Sequence, residues 1–187
     1  MEKTVRDIFA ESIVVKQATL AKNCPQIVRA AQSVLAAFKG GHKVFFFGNG
    51  GSAADSQHIA AEFIGRFQKE RKAWPAIALT TDTSILTALG NDYNFDIVFA
   101  RQLEGLGQKG DVAFAISTSG NSKNVLAGVK QARAMGMTTI GVTGGTGGAL
   151  ASACDITIVA ASPKTARIQE THLCVFHAIC EIVENAL

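Results

Sequence analysis

Five short apolar runs, each leading into a small polar loop and then a helical stretch, limit what this chain can fold into. Residues 44–47, 76–79, 112–116, 138–142 and 155–159 are rich in β-branched and aromatic side chains. They are too short for helices and apolar along most of their length rather than at alternate positions. Strands of that kind need cover on both faces, and strands that alternate with helices pair in parallel. The pattern predicts an α/β fold: a three-layer α/β/α domain around a parallel sheet of about five strands. In such sheets ligands bind at the carboxyl ends of the strands, and the polar loops all fall on that edge.

A chain of 187 residues, 48% hydrophobic and 18% charged, is enough for one well-buried domain, and no Pro/Gly/Ser-rich linker divides it. We read a single domain over residues 1–187, with a helical extension at 1–40 and an α/β core at 41–187. Val5, Ile8, Phe9, Ile13 and Leu20 fall at helical spacing, as do Ile27, Ala31, Val34, Leu35 and Phe38 beyond an Asn23-Cys24-Pro25 break. Two helices exceed what one small sheet needs for cover, so part of their apolar face is expected against another subunit. The charged N-terminus, MEKTVRDIFAES, is neither a secretory signal nor a transit peptide, and no apolar run approaches membrane-spanning length. A cytoplasmic protein without a membrane partner is expected. Cys24, Cys154, Cys174 and Cys180 lack C-x-x-C spacing, and three of the four lie among apolar neighbours, which predicts reduced structural thiols. The net charge is only +3, and the basic stretch at 66–72 is interrupted by Glu70. It reads as a solvated helix end rather than a nucleic-acid surface.

The loop after 112–116 offers Ser117, Thr118, Ser119 and Ser122, with Gly120 and Asn121 at the bend. Hydroxyls and free backbone N–H groups converge there on a helix N-terminus, where the dipole favours an anion. The loop has neither G-x-x-x-x-G-K-[ST] nor G-x-G-x-x-G, so a phosphate is a better guest than a nucleotide or dinucleotide. The plainer reading is a polar turn with a good N-cap. Gly48-Asn49-Gly50-Gly51-Ser52 repeats the arrangement before a helix at about 53–67, its glycines permitting close approach of a ligand. A third such loop, 80–84, caps a helix through Leu89 that Gly90-Asn91-Asp92 is expected to break.

His58 and Glu62 lie four apart and share a helix face. Such a pair serves as two ligands of one metal, as a base beside its proton partner, or as a surface pair. Glu62 sits in AAEFIG, among small and apolar residues where a surface carboxylate is unexpected. On the last helix, predicted over 165–185, Gln169 and His177 are two turns apart, about 12 Å along the axis. If both act, the spacing assigns them to different copies of a site, and so to pockets between subunits. A lone histidine on an apolar helix is also commonly a satisfied core residue.

The segments GNGGSAADSQHIAAEFIGR, LTALGNDYNF, GDVAFAISTSGNSKNV, GVTGGTGG and ARIQETHLCVFH together resemble the phosphoheptose isomerases of the sugar isomerase (SIS) domain family, from about residue 5 to the C-terminus. The resemblance implies interconversion of sedoheptulose 7-phosphate and D-glycero-D-manno-heptose 7-phosphate, toward the ADP-heptose of lipopolysaccharide and other surface glycans. It places the substrate phosphate on Ser117, Thr118, Ser119 and Ser122. The sugar falls along Asn49, Gly50, Gly51, Ser52, Asn91 and Asp92, with Glu62 and Gln169 also on the substrate. It makes Glu62 and His177 the acid/base pair, His58, Glu62, Gln169 and His177 the ligands of one zinc per subunit, and the protein a homotetramer with shared active sites. Some members carry an acidic residue where this chain has Ala166.

Aldose–ketose isomerisation needs a base for the proton on the carbon next to the carbonyl and an acid for the oxygen, through an enediol. A carboxylate held among apolar groups is suited to be that base near neutral pH, which assigns it to Glu62. His177 then shuttles the proton between oxygens. Two rivals share the fold: a non-catalytic SIS paralogue that binds the replication initiator protein, which lacks the histidine matching His177, and a phosphosugar-sensing module, which needs no acid/base pair.

Overall fold

The computed structural model describes residues 1–187. In chain order it runs α1 (Glu2–Lys39), β1 (Val44–Gly48), α2 (Gly51–Ile64), β2 (Ala76–Ala78), α3 (Thr83–Asp92), a 3-10 turn (Phe95–Ile97), α4 (Val98–Leu106) and β3 (Val112–Ile116). It continues with α5 (Lys123–Ala134), β4 (Thr138–Gly144), α6 (Leu150–Ala153), β5 (Ile156–Ala160) and α7 (Thr165–Ala186). All five strands are parallel, in the order β2-β1-β3-β4-β5. The expected three-layer α/β/α architecture is present.

The strands are apolar on both faces because both faces are covered. Along β1, Val44 and Phe46 point to one layer and Phe45 and Phe47 to the other, following the two-residue period of a strand. Phe46 stacks on Phe114 at 5.0 Å, and Phe176 of α7 meets Phe114 edge-on at 5.8 Å, closing the layer formed by α1, α2 and α7. The opposite layer is built by α4 and α5 around Phe47 and Phe99, 5.3 Å apart.

The N-terminal extension departs from expectation: residues 2–39 form one helix, with Pro25 inside it. Proline removes one i→i−4 hydrogen bond, but Pro25 and Ala21, whose carbonyl loses its donor, both lie on the exposed face. The neighbouring Asn23 is buried and holds the free edge of β5. Its Nδ2 donates to the Val159 carbonyl at 3.1 Å, and its Oδ1 accepts the Val159 N–H at 3.0 Å. Thr19 Oγ1 accepts the Ala161 N–H at 3.0 Å. Two polar side chains of a helix thus satisfy a sheet edge that would otherwise be open to another strand. The helix is about 57 Å long at 1.5 Å per residue, and Val15 is its first buried residue. The turn expected at Gly90 is absent too: α3 continues through Asp92, capped at its start by Asp82 Oδ1 accepting the Ile85 N–H at 2.9 Å.

Only two of the four cysteines follow their apolar sequence neighbours inward, Cys180 fully and Cys154 partly; Cys24 and Cys174 are exposed, and all four are free. Asn23→Ala strands the Val159 N–H and carbonyl together. We expect it to lower the unfolding free energy by about 1–3 kcal/mol, whereas Pro25→Ala, which restores a helical bond on the exposed face, should raise it. Urea denaturation of the two variants beside the parent checks both signs.

Candidate functional site

Strand order reverses at β1: the chain leaves it on one side for β2 and returns on the other as β3. Ligands of open α/β sheets bind at such a switch point, outside the carboxyl ends of the strands. The two loops that leave this point are 48–52 after β1 and 117–122 after β3. They are tied to each other by a reciprocal amide pair: Asn49 Nδ2 donates to Asn124 Oδ1 at 2.8 Å, and Asn124 Nδ2 donates to Asn49 Oδ1 at 2.9 Å. Asn124 belongs to the first turn of α5. The sugar-facing role expected of Asn49 is thereby joined to a structural one, since its amide also faces the second loop.

In loop 117–122, Ser117 Oγ lies 3.0 Å from Ser122 Oγ and 3.5 Å from Ser119 Oγ, with Thr118 half-buried between them. Ser122 occupies the N-cap position of α5 yet makes no capping bond with its side chain. Three serine hydroxyls therefore converge beside first-turn N–H groups that the cap leaves unpaired, the arrangement that binds an anion. The loop is braced from behind by residues 144–149. Gly120 has φ of +67°, and a Cβ there would collide with the Gly147 carbonyl. Leu150 N–H donates to the Gly120 carbonyl at 2.9 Å, and Ala149 N–H to Asn121 Oδ1 at 3.0 Å. The T-G-G-T-G-G segment supports the cradle rather than forming a pocket of its own.

The second cluster lies between α2 and α7. His58 Nε2 is 3.0 Å from His177 Nε2 and 3.4 Å from Glu62 Oε1, and the three ligand atoms lie within 4.8 Å of one another. His58 is 45% exposed at its side chain and Glu62 21%, so the group is open on one side. Two imidazole nitrogens and one carboxylate oxygen at this spacing form a possible metal-binding triad. The Phe67 ring lies 5.6 Å from that of His177.

Gln169 stands elsewhere on the same seam: its amide fills the space a Cβ at Gly51 would occupy. The two-turn separation of Gln169 and His177 along α7 is matched by that of Gly51 and His58 along α2, so one chain carries both beside its own α2. Gly50 (φ +56°) and Gly51 open α2, and Ser52 is buried behind them against Gly48. Asn91 and Asp92 come to neither cluster; both are exposed at the end of α3, where Asn91 Nδ2 donates to Asp92 Oδ1 at 2.9 Å. Ala166 is exposed in the first turn of α7.

Other charged groups near the clusters escaped the sequence reading. Burial raises the Asp55 carboxyl above the usual range, against the opposing pull of His58, and Asp55 Oδ2 has no partner. Burial, with the Glu62 charge adding to it, pushes the Cys180 thiol up to about 12. Burial lowers His172 to about 4, only partly offset by its bond to the Thr143 carbonyl, so the ring is neutral and its Nε2–H donates there at 2.9 Å. The basic stretch 66–72 is not a solvated helix end: α2 stops at Ile64, and the Arg71 side chain is only 11% exposed. Asn124 had a weak signal, an amide in the first turn after a hydroxyl loop; Arg71 had none.

Residues 9–144 match the SIS domain family. The chain is 55% identical over 185 residues to the phosphoheptose isomerase of Aquifex aeolicus, covering 99% of this chain and 97% of that protein. It is 53% identical to that of Roseiflexus sp. over 98% of this chain and 93% of the relative. The solved phosphoheptose isomerase of Neisseria gonorrhoeae superposes with a TM-score of 0.93 at 44% identity, covering 98% of both chains. That of Francisella tularensis gives 0.94 at 37% identity, over 98% of this chain and 97% of the other. The anion cradle at the switch point, the histidine–carboxylate cluster beside it and these end-to-end likenesses agree: the chain belongs to the phosphoheptose isomerases of the SIS domain family.

Proposed function

We propose that the protein interconverts sedoheptulose 7-phosphate and D-glycero-D-manno-heptose 7-phosphate through an enediol. The observation that carries this is the meeting of His58, Glu62 and His177 from two helices, in a chain whose switch-point loops form an anion cradle. Ser117, Thr118, Ser119, Ser122 and the first turn of α5 hold the phosphate, and Asn49, Gly50, Gly51, Ser52 and Gln169 lie along the sugar. Binding energy from the phosphate orients the open chain and is used to place the reacting carbons. Glu62 takes the proton from the carbon beside the carbonyl, and His177 moves a proton between the two oxygens.

The donor set of the triad suits zinc, whose three-ligand sites of histidine and carboxylate keep a fourth position open. Ligand atoms around a tetrahedral zinc lie about 3.3–3.4 Å apart, close to the 3.0 Å and 3.4 Å separations here. When bound, zinc would polarise the substrate carbonyl and stabilise developing enediolate charge. Gln169 is the fourth ligand in this reading.

The reading extends to a homotetramer with shared sites. Val5, Phe9, Ile13 and Val14 of α1 are more than half exposed, and α3 contains no buried residue. Asn91 and Asp92, remote from their own chain's clusters, would then serve a neighbouring copy. A cytoplasmic place in ADP-heptose synthesis for surface glycans accords with four free thiols; no helix is long and apolar enough to cross a membrane. A phosphosugar sensor or a replication-initiator-binding paralogue would need the cradle or the fold but not the triad.

In heavy water, the parent protein should wash deuterium into sedoheptulose 7-phosphate, and Glu62→Gln should slow the exchange by about 10²–10⁴-fold; undiminished exchange in the variant would remove Glu62 as the base. Ser117→Ala and Ser122→Ala are expected to raise KM with a smaller effect on kcat, read from initial rates. Chelation should abolish turnover and zinc restore it, with one zinc per chain by elemental analysis.

A further inference from the structure

Between α2 and β2 the chain runs through residues 65–75 with no regular structure, and this segment is bolted to α7 by a buried ion pair. Arg71 Nε donates to Glu184 Oε1 at 3.0 Å, with side-chain exposures of 11% and 3%. Glu184 also accepts the N–H groups of Phe67, Gln68 and Lys69 at 3.1, 2.8 and 3.0 Å. Burial works against the charged form of Glu184, but these three donors and the guanidinium outweigh it and hold the carboxyl below the usual range. The rest of the Arg71 fork turns to the end of α2. Its Nη2 donates to the Glu62 carbonyl at 2.7 Å, and its Nη1 to those of Phe63 and Gly65 at 2.9 and 3.1 Å. The guanidinium lies 3.7 Å from the centre of the Trp74 ring, which fixes its plane.

Two consequences bear on the cluster. The carbonyl of Glu62 is one of the acceptors Arg71 gathers, so the clamp sets the end of the helix that aims the Glu62 carboxylate. Phe67, whose N–H Glu184 holds, lays its ring 5.6 Å from His177 and limits where that imidazole turns. Glu184 itself lies two turns beyond His177 on α7. A pair with a purely structural task would not need to reach both halves of the reacting group.

We propose that Arg71 and Glu184 are positioning residues for the isomerisation: one buried ion pair joins the end of α2 to α7 and so sets Glu62 and His177 against each other. This rests on the isomerase reading above. Neither residue touches the substrate in this assignment, and each acts through the residue it holds. Buried charges of this kind are seldom retained for stability alone, because an apolar replacement of similar volume often serves as well.

Glu184→Gln keeps the shape and removes the charge, Arg71→Lys keeps the charge and removes the fork, and Phe67→Leu leaves the clamp intact while loosening the His177 ring. Each full-length variant is measured for kcat and KM on sedoheptulose 7-phosphate, for Co²⁺ affinity by the visible absorption of the triad-bound ion, and for Tm. In folded Glu184→Gln and Arg71→Lys, kcat should fall about 10–100-fold, the range for residues that orient reacting groups or metal ligands, with KM changed far less. Co²⁺ affinity should fall with kcat, and Phe67→Leu should give a smaller loss of both at unchanged Tm. The proposal is overturned if folded variants keep kcat and Co²⁺ affinity within about twofold of the parent, or if lost activity merely tracks the fraction unfolded. Should either clamp variant fail to fold, the other and Phe67→Leu decide by the same criteria. A parent protein inactive on this sugar sinks the isomerase reading alone, and the Co²⁺ comparison still judges the clamp.

Discussion

The parallel run of α2 beside α7 is the constraint on which the site depends. In a parallel sheet every crossover helix returns in the same direction, antiparallel to the strands. Two helices on one face therefore travel side by side, and residues at matching heights meet however far apart they are in sequence. Gly51 meets Gln169, His58 meets His177 across 119 positions, and the chain just past α2 meets Glu184. The contacts follow the same order along both helices. A site assembled this way is as rigid as the packing of Phe46, Phe63, Phe114 and Phe176 beneath it.

The same sheet accounts for the anion cradle. Reversal of strand order at β1 opens a crevice between the loops after β1 and β3, and the Asn49–Asn124 amide pair bridges it. Behind the cradle, residues 144–149 press so closely on Gly120 that no side chain fits there. His172, neutral because it is buried, carries the bracing back to α7 through the Thr143 carbonyl. The two clusters are thus parts of one framework, with α7 touching both.

Much of the fold was legible in the sequence. Strands apolar on both faces allowed little besides a covered parallel sheet, and all five apolar runs are its strands. The helical breaks were misread at Pro25 and Gly90 because local propensity was outweighed: Asn23 and Thr19 anchor α1 to the free edge of β5, and Asp82 caps α3. Such anchors lie more than a hundred residues away or depend on side-chain orientation, which periodicity does not contain. The stretch 66–72 misled for the same reason, since Arg71 finds its carboxylate 113 residues on.

By itself the sequence determined the local chemistry: which loops carry hydroxyls, which helix carries the His58–Glu62 pair, and which runs must be strands. Those properties depend on neighbours within a turn or two, where spacing alone decides who shares a face. The tertiary structure decided that His177 comes to that pair, that Gln169 lies instead at the start of α2, and that Asn124, Arg71 and Glu184 hold the parts in place. These meetings depend on the order of strands and the direction of helices. Such long-range geometry exists only once the sheet has formed.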